Sequence, residues 1–224
     1  MRNNGARTLL MGGQACVFYG AAEFSRDLDL LILADSENLG RLRAALTDLE
    51  AEPIAVPPLD AERLAKGHAT HFRCRRADVA GLRIDLMSRF RGGPEFEELW
   101  RRRTTIEVEG NQIDLLALGD LVNAKKTQRD KDWPMIGRLM ERSYFERDMK
   151  PSQEQIEFWL RELRTPELLV ELTERIRALR DASNPPARHC RRTHARPGPR
   201  GCCAGGGRAR GKAEGSRVLA TSQT

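Results

Sequence analysis

Met11-Gly12-Gly13-Gln14-Ala15-Cys16-Val17-Phe18-Tyr19-Gly20-Ala21-Ala22-Glu23-Phe24-Ser25-Arg26-Asp27-Leu28-Asp29-Leu30-Leu31-Ile32-Leu33 is the stretch on which the reading of the fold turns. It holds an apolar end, a glycine pair, a helix-compatible segment closed by Gly20, and an apolar run that begins with two aspartates. Side chains alternate along a strand, so Asp27 and Asp29 leave the same face, about 7 Å apart at the backbone. Two anions so placed repel each other unless a cation lies between them. Hard oxygen donors of this kind suit Mg²⁺ or Mn²⁺. The alternative is a pair of turn aspartates that simply open the strand. Gly12 and Gly13 let the backbone approach a ligand, and free N–H groups at a helix start favour a phosphate. The helix between them returns the chain, so that the glycines and the acids can face each other.

Working outward, Thr8 to Met11 reads as a strand that ends at the glycines. Ser36 can cap a helix running to about Leu49, with Leu39, Leu42, Leu46 and Leu49 on one face. His71–Arg75 and Leu82–Met87 suggest two further strands. Asp85 is the only acid of the second, where it either completes a metal site or is a half-exposed strand residue. A short helix around 94–102 leads into Thr105–Val108, a turn at Gly110-Asn111, and Gln112–Leu115, which together read as a β-hairpin. Helices are expected at about 118–129, 133–144, 153–163 and 167–182. Ser152 with Gln155 forms a capping box, and Pro166 occupies the first helical position after Thr165. The fold class is therefore α+β: a mixed β-sheet with flanking helices, then a helical C-terminal half. Residues 1–148 make the first domain, 149–182 a C-terminal helical segment, and 183–224 a tail.

The chain has 224 residues, a net charge of +6 and a pI near 9.4. The basicity sits in the tail: residues 183–224 hold nine Lys/Arg and one Glu, whereas residues 1–182 are net −2. With seven Gly, four Pro and no Phe, Trp, Tyr, Met or Ile, that tail cannot offset the roughly 1–2 kcal/mol per residue that backbone ordering costs, and it reads as disordered. It is either an arm that attracts nucleic acid or an unselected extension. The cysteines show no CxxC spacing, and His68 and His71 read as loop or strand histidines. No apolar run approaches the roughly 18–20 residues of a membrane span, and a cytoplasmic protein with no membrane partner is expected.

Met11-Gly12-Gly13, thirteen residues, then Asp27-Leu28-Asp29-Leu30 resembles the signature of the nucleotidyltransferase superfamily with the DNA polymerase β-like catalytic fold. The surrounding residues, through Tyr19-Gly20 and Ser25-Arg26, look like its small prokaryotic branch of abortive-infection and toxin–antitoxin nucleotidyltransferases. Leu116–Lys126 and Arg129-Asp130-Lys131-Asp132 are similar to that branch's helical Lys…Arg-x-Lys-Asp segment. The resemblance spans roughly residues 8–140, with a spacing at the long end of the range, and nothing from Glu146 onward takes part.

The resemblance implies a metal-dependent enzyme that moves a nucleoside monophosphate from a nucleoside triphosphate to an acceptor hydroxyl on RNA or protein. Asp27, Asp29 and Asp85 would be its catalytic metal ligands, for Mg²⁺ or Mn²⁺, and Asp85 would also help to deprotonate the acceptor. Gly12 and Gly13 would cradle the triphosphate, with Lys125 and Arg129 neutralising phosphate charge. A small cognate antitoxin is the further partner implied. On their own, Lys125, Lys126 and Lys131 read as a solvated helix face, and Asp132 reads as the cap of the next helix. Three other functions stay open: a catalytically silent binding or antitoxin module of the same fold, a small-molecule (antibiotic) adenylyltransferase, and a nucleic-acid binder acting through the tail.

Overall fold

Alternation along the aspartate-bearing run sets the architecture, because Leu28 and Leu30 must enter a core while Asp27 and Asp29 stay off it. In the computed structural model, which describes residues 1–54, 58–126, 130, 132–146 and 151–183, that run is β2 (Asp27–Ile32). It joins β1 (Thr8–Met11), β3 (Ala51–Pro53), β4 (Thr70–Cys74), β5 (Arg83–Met87), β6 (Thr104–Val108) and β7 (Asn111–Leu115) in one sheet. The order is β3-β4-β5-β2-β1-β7-β6. β2 runs parallel to β5, and β1 parallel to β7, while the other pairs are antiparallel. The helices are α1 (Gly12–Phe18), α2 (Ser36–Asp48), α3 (Ala61–Ala65), α4 (Phe96–Arg101), α5 (Leu118–Lys125), α6 (Asp132–Phe145), α7 (Gln153–Glu162) and α8 (Pro166–Ser183). The mixed sheet, the flanking helices and the helical C-terminal half agree with the expected fold class. The reading of the tail falls on residues from 184 onward, which lie outside the described residues.

One apolar cluster joins the sheet to the helices. Leu9, Leu31, Ile84 and Leu86 from the strands, Leu42 from α2, Leu121 from α5 and Trp159 from α7 are all essentially inaccessible. Burial of such side chains supplies about 1.5–3 kcal/mol each. Trp159 meets Tyr144 of α6 edge to face, with ring centroids 5.3 Å apart, a contact worth about 0.5–1.5 kcal/mol beyond the buried area. The helices after residue 150 therefore share the core of the sheet. Among the described residues no helix is long and apolar enough to cross a membrane.

Local chemistry corrects several boundaries. The cap of α2 is Asp35, not Ser36: the Asp35 carboxylate accepts from the Asn38 N–H at 2.6 Å, and Ser36 is already helical. Replacing Asp35 with alanine is expected to lower stability by about 1 kcal/mol, and Ser36→Ala to change it by less than about 0.5 kcal/mol, in urea denaturation. The hairpin turn is Glu109-Gly110, because Val108 pairs with Asn111 and both turn residues have positive φ, 50° and 77°. Such a two-residue turn matches the twist of the strands. The helix expected over 118–129 ends at Lys125, and residues 127–129 lie outside the described residues. The capping box at Ser152 and Gln155 is present on α7, and Pro166 opens α8.

Candidate active site

The β1–α1 turn and the start of β2 meet at one point. Gly12 has φ +66°, and a β-carbon there would lie 1.8 Å from Oδ2 of Asp29. The aspartate thus rests directly on the glycine's α-carbon. At Gly13 a β-carbon would lie 2.4 Å from Oγ of Ser25, in the loop that delivers β2. The Gly13 N–H donates to the Asp29 carboxylate. The glycine pair therefore seats the Asp29 carboxylate.

Asp85 stands opposite Asp29 in the parallel register of β2 and β5, and Arg83 opposite Asp27. All four project from the same face. Asp85 is 9% exposed, so its half-exposed alternative does not hold. Its Oδ1 accepts from Nε of Arg83 at 2.8 Å and lies 2.8 Å from Nδ1 of His71, which sits on β4 directly across from it. His71 is indeed a strand histidine, but one that touches a candidate catalytic acid. Burial raises the Asp29 carboxyl above the usual carboxylate range, and the charges of Asp85 and Asp27 push it the same way. Lys125 and the Gly13 N–H pull against that rise.

The helices close the site. Lys125, at the end of α5, is not on a solvated face: its side chain is 13% exposed and Nζ lies 3.8 Å from Oδ1 of Asp132. Asp132 is the first residue of α6 rather than its cap, and is buried. Lys126 is likewise committed, donating at 2.6 Å to the buried Glu162 of α7. Arg129 and Lys131 lie outside the described residues.

All of these groups except His71 and Glu162 line one cavity of about 1040 Å³, at the upper end of the range for small-molecule sites. Gly12, Gly13, Asp27, Asp29, Asp85 and Lys125 all border it. Sequence reasoning missed Arg83, Ser25, Asp132, His71 and the segment Phe90-Arg91-Gly92. Arg83 was within reach of the parity argument, standing two residues before Asp85. His71 was not, since its place depends on cross-strand register.

A divalent cation fits the chemistry of this donor set, three hard carboxylates on adjacent strands with Asp29 short of positive charge. The side chains are not gathered for it: among the described residues no three His, Cys, Asp or Glu groups are placed to hold a metal ion, and one oxygen of Asp85 is already occupied by Arg83.

No family model matches the chain, and no curated protein matches it. Among solved structures the chain is similar to the crystal structure of an antigenic nucleotidyltransferase-like protein from Paracoccidioides brasiliensis. The identity is 16% and the TM-score 0.39, over 79% of this chain and 82% of that one.

Proposed function

We propose that the chain is a metal-dependent nucleotidyltransferase that moves a nucleoside monophosphate from a nucleoside triphosphate to an acceptor hydroxyl on RNA or protein. The observation that carries this reading is a single cavity holding Asp27, Asp29 and Asp85, the Gly12-Gly13 turn and the inward-facing Lys125. In the transfer, the acceptor oxygen bonds to the α-phosphorus and the bond to the bridging oxygen breaks. Pyrophosphate leaves, and the acceptor's proton passes to a carboxylate or to water. Asp27 and Asp29, with Asp85, would hold a Mg²⁺ or Mn²⁺ ion whose chemistry is to neutralise the developing phosphate charge. Lys125 adds positive charge on the side of the glycine turn. Arg83 and His71 fix the orientation of Asp85. The resemblance in sequence extends the proposal to the toxin half of a two-gene system with a small antitoxin.

The test uses purified protein, each α-labelled nucleoside triphosphate, Mg²⁺ or Mn²⁺, and total cellular RNA or protein, beside an Asp27→Ala/Asp29→Ala variant. Label moved by the wild type and not by the variant supports the enzyme. The ion pair between Arg83 and Asp85 favours a second reading, a nucleotide-binding module that performs no transfer. That reading predicts triphosphate binding with no labelled product under any of these conditions.

A further inference from the structure

Four cations line the cavity, and three of them are in ion pairs: Arg83 with Asp85, Lys125 with Asp132 and Lys126 with Glu162. Among the described residues the fourth, Arg91, has no acidic partner, and it is exposed. It sits at the corner of a tight turn in which the Gly93 N–H donates to the Phe90 carbonyl at 3.1 Å and Gly92 has φ +72°. The ring of Phe90 lies over Gly93, where a β-carbon would come within 2.4 Å of it. The ring is thus held half-buried, beside an uncommitted guanidinium, in the cavity wall that follows β5.

The place of this turn in the sheet gives it a role, on the proposed reading of phosphate transfer. β5 and β1 flank β2 and run antiparallel to each other, so the chain leaves β5 toward Phe90–Gly93 and leaves β1 at Gly12-Gly13 on either side of the strand that carries Asp27 and Asp29. In an in-line displacement the leaving and attacking oxygens lie on opposite sides of the phosphorus. With pyrophosphate leaving toward Gly12-Gly13 and Lys125, the attacking hydroxyl arrives from the side of β5.

We infer that Phe90 and Arg91 form the acceptor subsite, and that the acceptor is the end of a single-stranded polynucleotide. A planar ring that can stack a base, beside a cation that can meet a phosphate, is the pairing used by single-strand binders. A polycationic antibiotic would instead meet the unpaired Arg91 as a like charge. A serine or threonine side chain has neither a planar group nor a charge for this wall to hold.

The experiment titrates full-length protein with a 5′-fluorescein-labelled ribotrinucleotide, followed by fluorescence anisotropy at about 0.3 M salt, which weakens non-specific contacts with the basic tail. Phe90→Ala and Arg91→Ala are each expected to weaken binding about tenfold, within the range for losing one stacked base. Phe90→Trp keeps a stacking face and is expected to bind like the wild type. Arg91 lies on the surface, so its variant reports even where Phe90→Ala does not fold. In the label-transfer assay the KM for the RNA acceptor rises in both alanine variants while the KM for the triphosphate holds. Unchanged trinucleotide affinity, a rise in the triphosphate KM alone, or competition by a Ser/Thr peptide but not by RNA would each overturn the assignment. Weakened trinucleotide binding with no transfer by the wild type upholds the subsite and removes the transferase. Transfer with an unchanged acceptor KM does the reverse.

Discussion

Asp29→Asn protein is expected to melt at a higher temperature than the wild type at pH 7, and to lose at least about 10³-fold in label transfer. The stability half follows from the environment of Asp29. Burial, with Asp85 and Asp27 as neighbours, raises its folded-state carboxyl above the value it has in the unfolded chain. Below the unfolded value both states hold the proton and the shift has no effect. As the pH rises past it, the folded state alone retains the proton, and stability declines until the folded value is passed. Asparagine escapes this cost and can still accept from the Gly13 N–H. Its advantage therefore grows as the pH rises from the unfolded value toward the raised folded one, and disappears as the pH falls back to the ordinary carboxylate value of about 4.

Metal ion separates the two proteins again. An ion held only by the folded state stabilises it by about 2.7 kcal/mol at one hundred times its dissociation constant. Adding Mg²⁺ should raise the melting temperature of the wild type and leave Asp29→Asn where it was. Identical melting of the two proteins at pH 7, with neither responding to Mg²⁺ or Mn²⁺, would remove the metal site.

Gly12→Ala carries the second large effect. An L-residue at φ +66° costs about 1–2 kcal/mol before any contact is counted. The new methyl would then overlap the Asp29 side chain, with Oδ2 at 1.8 Å and its β-carbon at 2.7 Å. Rotating the carboxylate relieves the first contact but not the second. A loss of about 3 kcal/mol or more is expected, which at this chain length lowers the melting temperature by about 6–12 °C. Asp29→Gly removes both contacts, so the double variant should be more stable than the sum of the two single losses predicts. Additive losses in differential scanning calorimetry would show that the two residues do not touch. Gly13→Ala is milder, because the nearest atom is the Ser25 hydroxyl, which can turn aside.

What was legible in the sequence was what adjacent residues decide between themselves. The apolar run that follows Asp27-Leu28-Asp29 announced a buried strand with both aspartates on one face, and Ser152 with Gln155 announced a helix start. β3 was missed because it has three residues, ends in Pro53 and exists through its pairing with β4. α3 was missed because five residues are too few to show a period, although Asp60 caps it by accepting from Glu62 and Arg63. The site divides in the same way. Asp27, Asp29 and the glycines form one local sentence of sequence. Asp85, His71 and Arg83 are brought together by strand register, which alternation constrains but does not assign. Asp132 misled for a related reason. An aspartate before Trp133-Pro134 looks like a cap until the end of α5 packs against it.

β1 lies in the middle of the sheet, yet its two neighbours are far apart along the chain. Its pairing with β2 closes a short loop, from Met11 to Asp29, whereas its pairing with β7 joins Leu10 to Leu115. Closing the longer loop is entropically harder, and it has to wait until the chain has been made that far. On the ribosome, Leu9, Leu10 and Met11 are therefore presented early, with one strand edge paired and the other open. For the whole time it takes to synthesise the roughly eighty residues from the end of β2 to Leu115, this chain carries a sticky apolar edge. Its yield in a cell should then depend on the holding chaperones that meet nascent chains, more than on the stability of the finished fold.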